Sequence, residues 1–194
     1  GGTGAVEWAY CDYFRYHYLK VAGDFDISVK IPYLVSDFLF SIAGLMIRDS
    51  LTLSSNYIGM YSQLQRRGSY FCIFRQDASI IPSLVHSYKK VEYPDVCVRI
   101  SRRNDTVTTY YWYKDFQDWL IMGQFFNQNQ DSVYLGITLT GALKDSIPIA
   151  YFSDLVLDGD TISLDKLSVF DNTTYNNSSF YFNELHTNFE LSKD

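Results

Sequence analysis

Cysteine and proline are scarce in this 194-residue sequence, with three and four copies. Cys11, Cys72 and Cys97 are odd in number and widely spaced, so they form neither a disulfide framework nor a CxxC metal site. Buried free thiols are the first interpretation, and one disulfide with a spare thiol is the alternative. The low cysteine count therefore excludes a small domain that depends on disulfides for its stability.

Positive charge is also in short supply, because 16 Lys and Arg face 22 Asp and Glu and give a net charge of -6. This balance provides no electrostatic attraction to nucleic acid or to an anionic membrane surface. No apolar run approaches the roughly 20 residues that a spanning helix needs. The sequence therefore predicts neither a nucleic-acid partner nor insertion into a membrane. The start Gly1-Gly2-Thr3-Gly4 lacks an initiator Met and a signal-peptide core, which favours a piece of a longer protein with other domains as neighbours.

What the sequence does contain is aromatic and apolar. It is 47% hydrophobic and 18% aromatic, with 17 Tyr and 14 Phe, and only 20% of its residues are charged. This composition is typical of a folded globular domain, and its aromatic excess favours strands, where flat side chains cover a pleated surface. We expect an all-β domain.

Hydrophobic residues alternate with polar ones along much of the chain, which is the period of a half-buried strand. From Asp24 to Ile31, four apolar residues alternate with Asp24, Asp26, Ser28 and Lys30. Further strands are predicted at 44–48, 57–63, 70–75, 84–89, 95–101, 106–113, 133–140 and 149–157. The segments 36–43 and 115–127 are apolar enough to be short helical or looping covers.

Because each sheet must bury an apolar face, about ten strands predict a two-sheet antiparallel β-sandwich of the concanavalin A-like jelly-roll class. A barrel is the alternative. We assign residues 1–160 to this sandwich. Residues 161–194 are polar and rich in turn-formers, and we expect an edge hairpin or a link to a following domain.

The block Ala43-Gly44-Leu45-Met46-Ile47-Arg48-Asp49-Ser50 resembles the signature strand of a concanavalin A-like domain family named after a regulation-of-enolase protein. Blocks at 14–16, 23–27, 110–111 with Trp119, 133–137 and 150–155 agree in order, so the resemblance covers about residues 14 to 157. It implies the sandwich fold more firmly than any activity, and members are commonly attached to secreted or surface proteins that act on glycans. The charged turn 114–118 departs from the family's Gly-rich turn, and 124–131 looks inserted, so loop-borne specificity does not transfer.

The sequence contains none of the catalytic motifs expected for hydrolases of this fold. Retaining glycosidases need two carboxyls about 5 to 5.5 Å apart, and the Glu-x-Asp-x-x-Glu run of laminarinase-like sandwiches is absent. Asp24 with Asp26 reads as strand polarity, and a calcium site at Asp154, Asp158 and Asp160 is a weaker alternative to a solvated strand end. There is no Gly-x-Ser-x-Gly elbow, and the three histidines have no neighbour at metal-ligand spacing. We therefore expect no enzyme, no metal and no cofactor.

Binding residues are sought instead among aromatic side chains and one arginine. Aromatic rings on a sheet face can stack on the apolar faces of sugars, although core packing is the alternative for each. Arg48 would either present its donors to a ligand or pin the sheet by pairing with Asp26 or Asp49. The predicted ligand-binding residues are Arg48, Tyr61, Tyr70, Phe74, Tyr110 and Trp112.

Four glycosylation sequons occur in predicted turns, with acceptors Asn104, Asn172, Asn176 and Asn177. They favour a secreted glycoprotein at the cell surface or outside the cell. The leading hypothesis is a non-catalytic, lectin-like binding or adhesion module for carbohydrate. A structural protein–protein interaction module in a large assembly is the second hypothesis, and a glycoside hydrolase is the third.

Overall fold

The computed structural model describes residues 14–36, 38–64, 68–77, 82–86, 90–126, 131–141, 148–171, 178–183 and 188–193. Only the backbone is described at residue 86 and after residue 170. The strands are β1 (Arg15–Ala22), β2 (Phe25–Val35), β3 (Ile42–Arg48), β4 (Tyr57–Gln63), β5 (Ser69–Arg75), β6 (Ser83–His86), β7 (Cys97–Arg103), β8 (Thr106–Tyr113), β9 (Asp118–Phe126), β10 (Ser132–Thr140), β11 (Ile149–Leu157), β12 (Asp160–Thr161), β13 (Ser168–Asp171), β14 (Ser178–Asn183) and β15 (Asn188–Lys193).

Two antiparallel sheets form the body of the molecule. One has seven strands in the order β13-β1-β10-β3-β4-β5-β6, and the other has six in the order β12-β11-β2-β7-β8-β9. The strands β14 and β15 pair with each other as a separate hairpin. The predicted two-sheet sandwich is confirmed, and the strands predicted at 57–63, 106–113 and 149–157 have the observed boundaries.

The main core lies between the two sheets, and the period of two builds it. β2 places Phe25, Ile27, Val29 and Ile31 on its inner face, each at most 1% exposed. The seven-stranded sheet contributes inner residues such as Leu45 on β3 to the same core. Because each buried leucine-sized side chain stabilises the fold by about 1.5–3 kcal/mol, this shared layer is the principal source of stability.

The outer face of the seven-stranded sheet carries a second apolar layer, which the sequence analysis did not predict. Every residue of β3 and β4 is buried, so these strands have no wet face. We name this layer the second cluster, and its buried members are Phe14, Tyr16, Ile42, Met46, Tyr57, Tyr61, Phe71 and Ile73. The outer side of this sheet is therefore closed to solvent at β3 and β4.

Two glycines let the rings of the second cluster lie close to the sheet. A Cβ at Gly59 would overlap the ring of Tyr61, and a Cβ at Gly136 would overlap the carbonyl oxygen of His17. The hydroxyl of Tyr16 reaches the carbonyl oxygens of Met46 (2.9 Å) and Tyr134 (2.8 Å) and shares its hydrogen between them. Glycine here supplies space for side chains and neighbouring backbone.

Two predicted covers have a different structure. Asp115–Asn127 was interpreted as a helical or looping segment, but Asp118–Phe126 is the edge strand β9. A register shift opposite Thr109 and Tyr110 breaks the period of two, which hid the strand in the sequence. The other predicted cover, 36–43, overlaps the start of β3, because that strand begins at Ile42.

The chain beyond residue 160 continues to pack with the sandwich. Leu164 begins a 3-10 turn that ends at Lys166, and Leu167 follows directly after it. Both leucine side chains lie in the main core. β13 then pairs with β1 at the edge of the seven-stranded sheet. Residues 161–171, which the sequence analysis placed in an extension, are thus joined to the sandwich.

Candidate functional site

The outer face of the six-stranded sheet exposes aromatic rings. Alternation along β8 turns Val107 and Tyr111 into the core and places Tyr110 and Trp112 outside. The β8–β9 register sets Trp112 opposite Trp119, and their rings meet edge to face with centroids 5.5 Å apart and planes at 75°. These three rings are half-buried, so each keeps part of its surface in contact with water.

A clamped guanidinium lies beside the rings. Arg99 donates from Nε to Oδ1 of Asp26 (2.7 Å) and from Nη2 to Oδ2 (2.6 Å). Its Cζ lies 4.9 Å from the ring centroid of Tyr110 and 5.8 Å from that of Trp119. The hydrogen bonds to Asp26 raise the pKa of Arg99 further above its usual range, so the group stays charged. We name Arg99, Tyr110, Trp112, Trp119 and the 60% exposed Ile121 the aromatic face.

A pocket of about 180 Å³ opens at the end of the sandwich where the turn between β8 and β9 lies. Its aromatic wall consists of Tyr70, Trp112 and Tyr113. Tyr70 is 3% exposed and stacks on Tyr111 with centroids 4.9 Å apart, which fixes this wall. We name this cavity the end pocket. Because Trp112 belongs to both, the aromatic face and the end pocket form one continuous surface.

Charged side chains complete the end pocket: Lys90, Glu92, Asp95, Lys114 and Asp115. Asp95 accepts a hydrogen bond from Lys114 Nζ at 3.0 Å, and Lys30 Nζ lies 3.8 Å away. The hydrogen bond from Lys114 lowers the pKa of Asp95 below its usual range and raises that of Lys114. Asp95 is therefore a fixed anion and is poorly suited to deliver a proton.

The predicted ligand-binding residues are divided among four environments. Tyr110 and Trp112 lie together on the aromatic face, and Tyr70 lines the end pocket. Phe74 packs in the main core against Phe125, with centroids 4.6 Å apart. Arg48 and Tyr61 lie on the opposite side of the molecule in and beside the second cluster, and both are 0% exposed.

The buried side chain of Arg48 fixes the loop that follows β3. Its Nη2 donates to the carbonyl oxygen of Thr52 (2.7 Å) and its Nε to that of Ser50 (3.2 Å). Asp26, one of its two suggested partners, lies on the other sheet and binds Arg99, so that pairing was wrong. Asp49 is the other suggested partner. Its burial raises the pKa of its carboxyl group more than its neighbours lower it.

A second buried arginine holds the same loop, and the sequence analysis did not single it out. Arg75 donates from Nε (3.0 Å) and Nη2 (2.9 Å) to the carbonyl oxygen of Ser55. The ring of Tyr57 lies 5.6 Å from the Cζ of Arg48 and 5.0 Å from that of Arg75. The two guanidinium groups and this ring thus fix residues 50–55 against the sheet.

Sequence reasoning missed Arg99, Trp119 and the charges of the end pocket. A signal for Arg99 was present, because it alternates with Val98 and Ile100 and the hairpin register sets it opposite Tyr110. Trp119 was hidden because its strand was interpreted as a cover. The pocket charges come from the segment before β7 and the β8–β9 turn, so only the folded chain brings them together.

The other chemical candidates give no site in the part of the chain that is described. No group of three His, Cys, Asp or Glu that could hold a metal ion occurs there. Asp158 instead accepts a hydrogen bond from the amide of Asp26 at 2.8 Å. Cys72 and Cys97 are free thiols, and burial raises their pKa values to about 12 and about 11. Among the described residues, no helix is long and apolar enough to span a membrane.

One of the four predicted sequon acceptors can be placed. Asn104 lies exposed at the tip of the β7–β8 hairpin with a φ of 52°, in the left-handed region. The backbone amide of Asn104 donates to Oδ1 of Asp24 at 2.7 Å, and this hydrogen bond fixes the hairpin tip. Asn172, Asn176 and Asn177 lie outside the described residues.

Comparison with solved structures defines the class as a two-sheet β-sandwich. A functionally unknown protein from Saccharomyces cerevisiae aligns with a TM-score of 0.59 and 11% identity over 75% of this chain and 74% of its own. A scytalido-glutamic peptidase bound to a peptide-based transition state analog gives 0.53 and 10% over 95% and 100%. A legume lectin-like domain from Entamoeba histolytica gives 0.49 and 10% over 85% and 82%.

At these identities the likeness shows the fold and not an activity. No family model matches the chain, and no curated protein matches it. The predicted two-sheet antiparallel β-sandwich is thus confirmed, while the concanavalin A-like jelly-roll class and the narrower resemblance to the regulation-of-enolase family stay predictions.

Proposed function

We propose that this chain is a non-catalytic, lectin-like module that binds carbohydrate on the aromatic face. One observation carries the proposal: Tyr110, Trp112 and Trp119 stand on an open sheet surface around the clamped guanidinium of Arg99. Aromatic rings pack against the apolar C–H faces of sugars, and fixed polar groups beside them orient hydroxyls. The Arg99–Asp26 pair supplies such groups without any rearrangement.

The ring geometry bears on the shape of the ligand. Trp112 and Trp119 meet at 75°, so their faces form a corner and not a flat strip. A corner encloses one or two sugar units and suits a short or branched glycan better than the surface of a crystalline polymer.

The charges near this surface support a role in binding over one in catalysis. Asp26 is held by Arg99, Asp95 by Lys114, and the Nζ of Lys90 lies 3.6 Å from Oε1 of Glu92. A general acid needs a raised pKa and an available proton, and the pKa of Asp95 is lowered. The same module is proposed to act outside the cell or at its surface, as the sequons suggest.

The test is a glycan array followed by titration calorimetry with the best ligand. We expect Trp119→Ala to weaken binding roughly tenfold, as removal of a central aromatic contact usually does. Tyr33→Ala is the matched control, because Tyr33 is 46% exposed and lies outside the aromatic face. Equal losses in both variants, or no glycan ligand at all, would refute the proposal. Turnover of a polysaccharide would instead favour the hydrolase hypothesis.

A second candidate function, a structural module that assembles with further copies, is favoured by exposed apolar side chains at the end of β2 and in the segment that follows it. Val35, Leu39 and Phe40 are 40%, 57% and 39% exposed. Sedimentation velocity over a range of concentrations tests it. Association that disappears in a Leu39→Ser/Phe40→Ser double variant would support this candidate, and a concentration-independent monomer would exclude it.

A further inference from the structure

The end pocket differs chemically from the aromatic face that it adjoins. It is lined by three aromatic residues, Tyr70, Trp112 and Tyr113, and otherwise by charged ones. A volume of about 180 Å³ matches a single sugar ring or its substituent. The pocket is thus suited to recognise one terminal unit.

The charged groups of the pocket differ in how they are paired. Three carboxylates, on Glu92, Asp95 and Asp115, and the ammonium groups of Lys90 and Lys114 line it, and the Nζ of Lys30 lies 3.8 Å from Asp95. Lys114 donates to Asp95 at 3.0 Å, and Lys90 lies 3.6 Å from Glu92. Within the described ranges no hydrogen bond or ion pair engages Asp115, whose charge acts on the neighbouring Lys114 without direct contact. This carboxylate is therefore open to a ligand.

This combination discriminates between ligand charges. A uronate or another anion would need a free ammonium, but both lysines already have carboxylate partners. A cation would meet the carboxylate of Asp115 beside aromatic side chains, whose rings attract ammonium groups by about 0.5–2 kcal/mol where a face is presented. The pocket therefore favours a positive charge.

We propose that the end pocket binds the ammonium group of a basic amino sugar at the terminus of a glycan that lies on the aromatic face. The inference rests on the proposed function, because Trp112 contributes to both surfaces. The amino sugar enters with its ring against Trp112 and Tyr113 and its ammonium toward Asp115. Nothing in this arrangement requires a covalent step.

Titration of the whole chain with three defined oligosaccharides tests the inference: glucosamine oligomers, N-acetylglucosamine oligomers and galacturonate oligomers of equal length. We expect the free amine to bind about fivefold tighter than its acetylated counterpart, the gain of roughly one charge-assisted contact. Asp115→Asn should remove this preference. Asp165→Asn, an equal change of charge on an exposed turn away from the pocket, is the matched control.

The outcomes separate the two proposals. Equal affinities for free and acetylated amines, or equal effects of Asp115→Asn and Asp165→Asn, would overturn the end-pocket inference while the aromatic face stands. If the acetylated oligomers fail to bind, glucosamine monomer is titrated and the indole N–H resonance of Trp112 is followed by NMR. A shift that Asp115→Asn abolishes would retain the pocket and refute the aromatic face, and the absence of any shift would refute both.

Discussion

Three arginines show how one side chain serves two purposes in this protein. Arg48 and Arg75 are buried and donate to loop carbonyls, whereas Arg99 is half-buried and donates to a carboxylate. A planar guanidinium suits both settings, because it stacks on rings while its edge donates hydrogen bonds. The depth of burial decides whether the group fixes backbone or pairs with a carboxylate near the surface.

The Asp26–Arg99 pair should contribute measurably to stability. Asp26→Asn keeps the size of the side chain but removes its charge and one of its two acceptor oxygens, so one hydrogen bond from Arg99 is lost and the other weakens. We expect the free energy of unfolding to fall by about 1–3 kcal/mol. Urea denaturation measures this loss, and a double-mutant cycle with Arg99→Gln isolates the pair. Asp105→Asn, at the exposed hairpin tip, is the control; a difference of less than about 0.5 kcal/mol between the two variants would show that the pair contributes nothing.

At the level of elements, loop 50–55 depends on two strands for its conformation. The carbonyl oxygens of Ser50 and Thr52 accept from Arg48 on β3, and that of Ser55 accepts from Arg75 on β5. The intervening strand β4 contributes the ring of Tyr57 between them. The loop is therefore an integral part of the seven-stranded sheet and not a free connection.

Arg75→Lys tests this dependence. Lysine keeps the charge but cannot donate from two nitrogens in one plane or stack on Tyr57. We expect a loss of roughly 2–3 kcal/mol, the range for a buried hydrogen-bonded charge, together with faster amide exchange at 50–55. Hydrogen exchange read by mass spectrometry measures both. Arg103→Lys is the control, since the Arg103 side chain is more than half exposed; equal protection of the loop in both variants would contradict its anchoring by Arg75.

The sequence predicted the strands whose residues alternate and failed where alternation breaks. Phe25 to Ile31 alternates strictly and was assigned correctly, whereas β9 carries a register shift and was missed. For the site, alternation identifies which face a residue occupies but not what covers that face. Tyr110 and Tyr61 look alike in sequence, yet one is on the open surface and the other is 0% exposed. That difference arises from tertiary packing alone.

At the scale of the whole molecule, the buried thiols and phenols make the fold sensitive to alkali. Burial raises the pKa of Cys72 to about 12, of Cys97 to about 11 and of Tyr93 to about 12. It also raises the pKa values of Tyr16 and Tyr70. The unfolded chain releases these protons at their ordinary values, so above them it binds fewer protons than the folded chain, and stability falls as pH rises.

We therefore expect the free energy of unfolding to decrease between pH 7 and pH 10, with Cys72 alone accounting for a loss on the order of 2 kcal/mol. Urea denaturation followed by tryptophan fluorescence at a series of pH values measures the slope. In Cys72→Ala the slope should be smaller, although the variant starts from lower stability. A stability that is constant up to pH 10 would contradict the burial of these groups.

The second cluster on the outer side of the seven-stranded sheet has a consequence for valency. This cluster occupies the outer side of β3 and β4, so the aromatic face lies on one side of the domain only. With glycan binding proposed at the aromatic face alone, one copy would attach to one target at a time. Agglutination or strong avidity would then require tandem copies or several domains on one chain, with linkers long enough for simultaneous engagement.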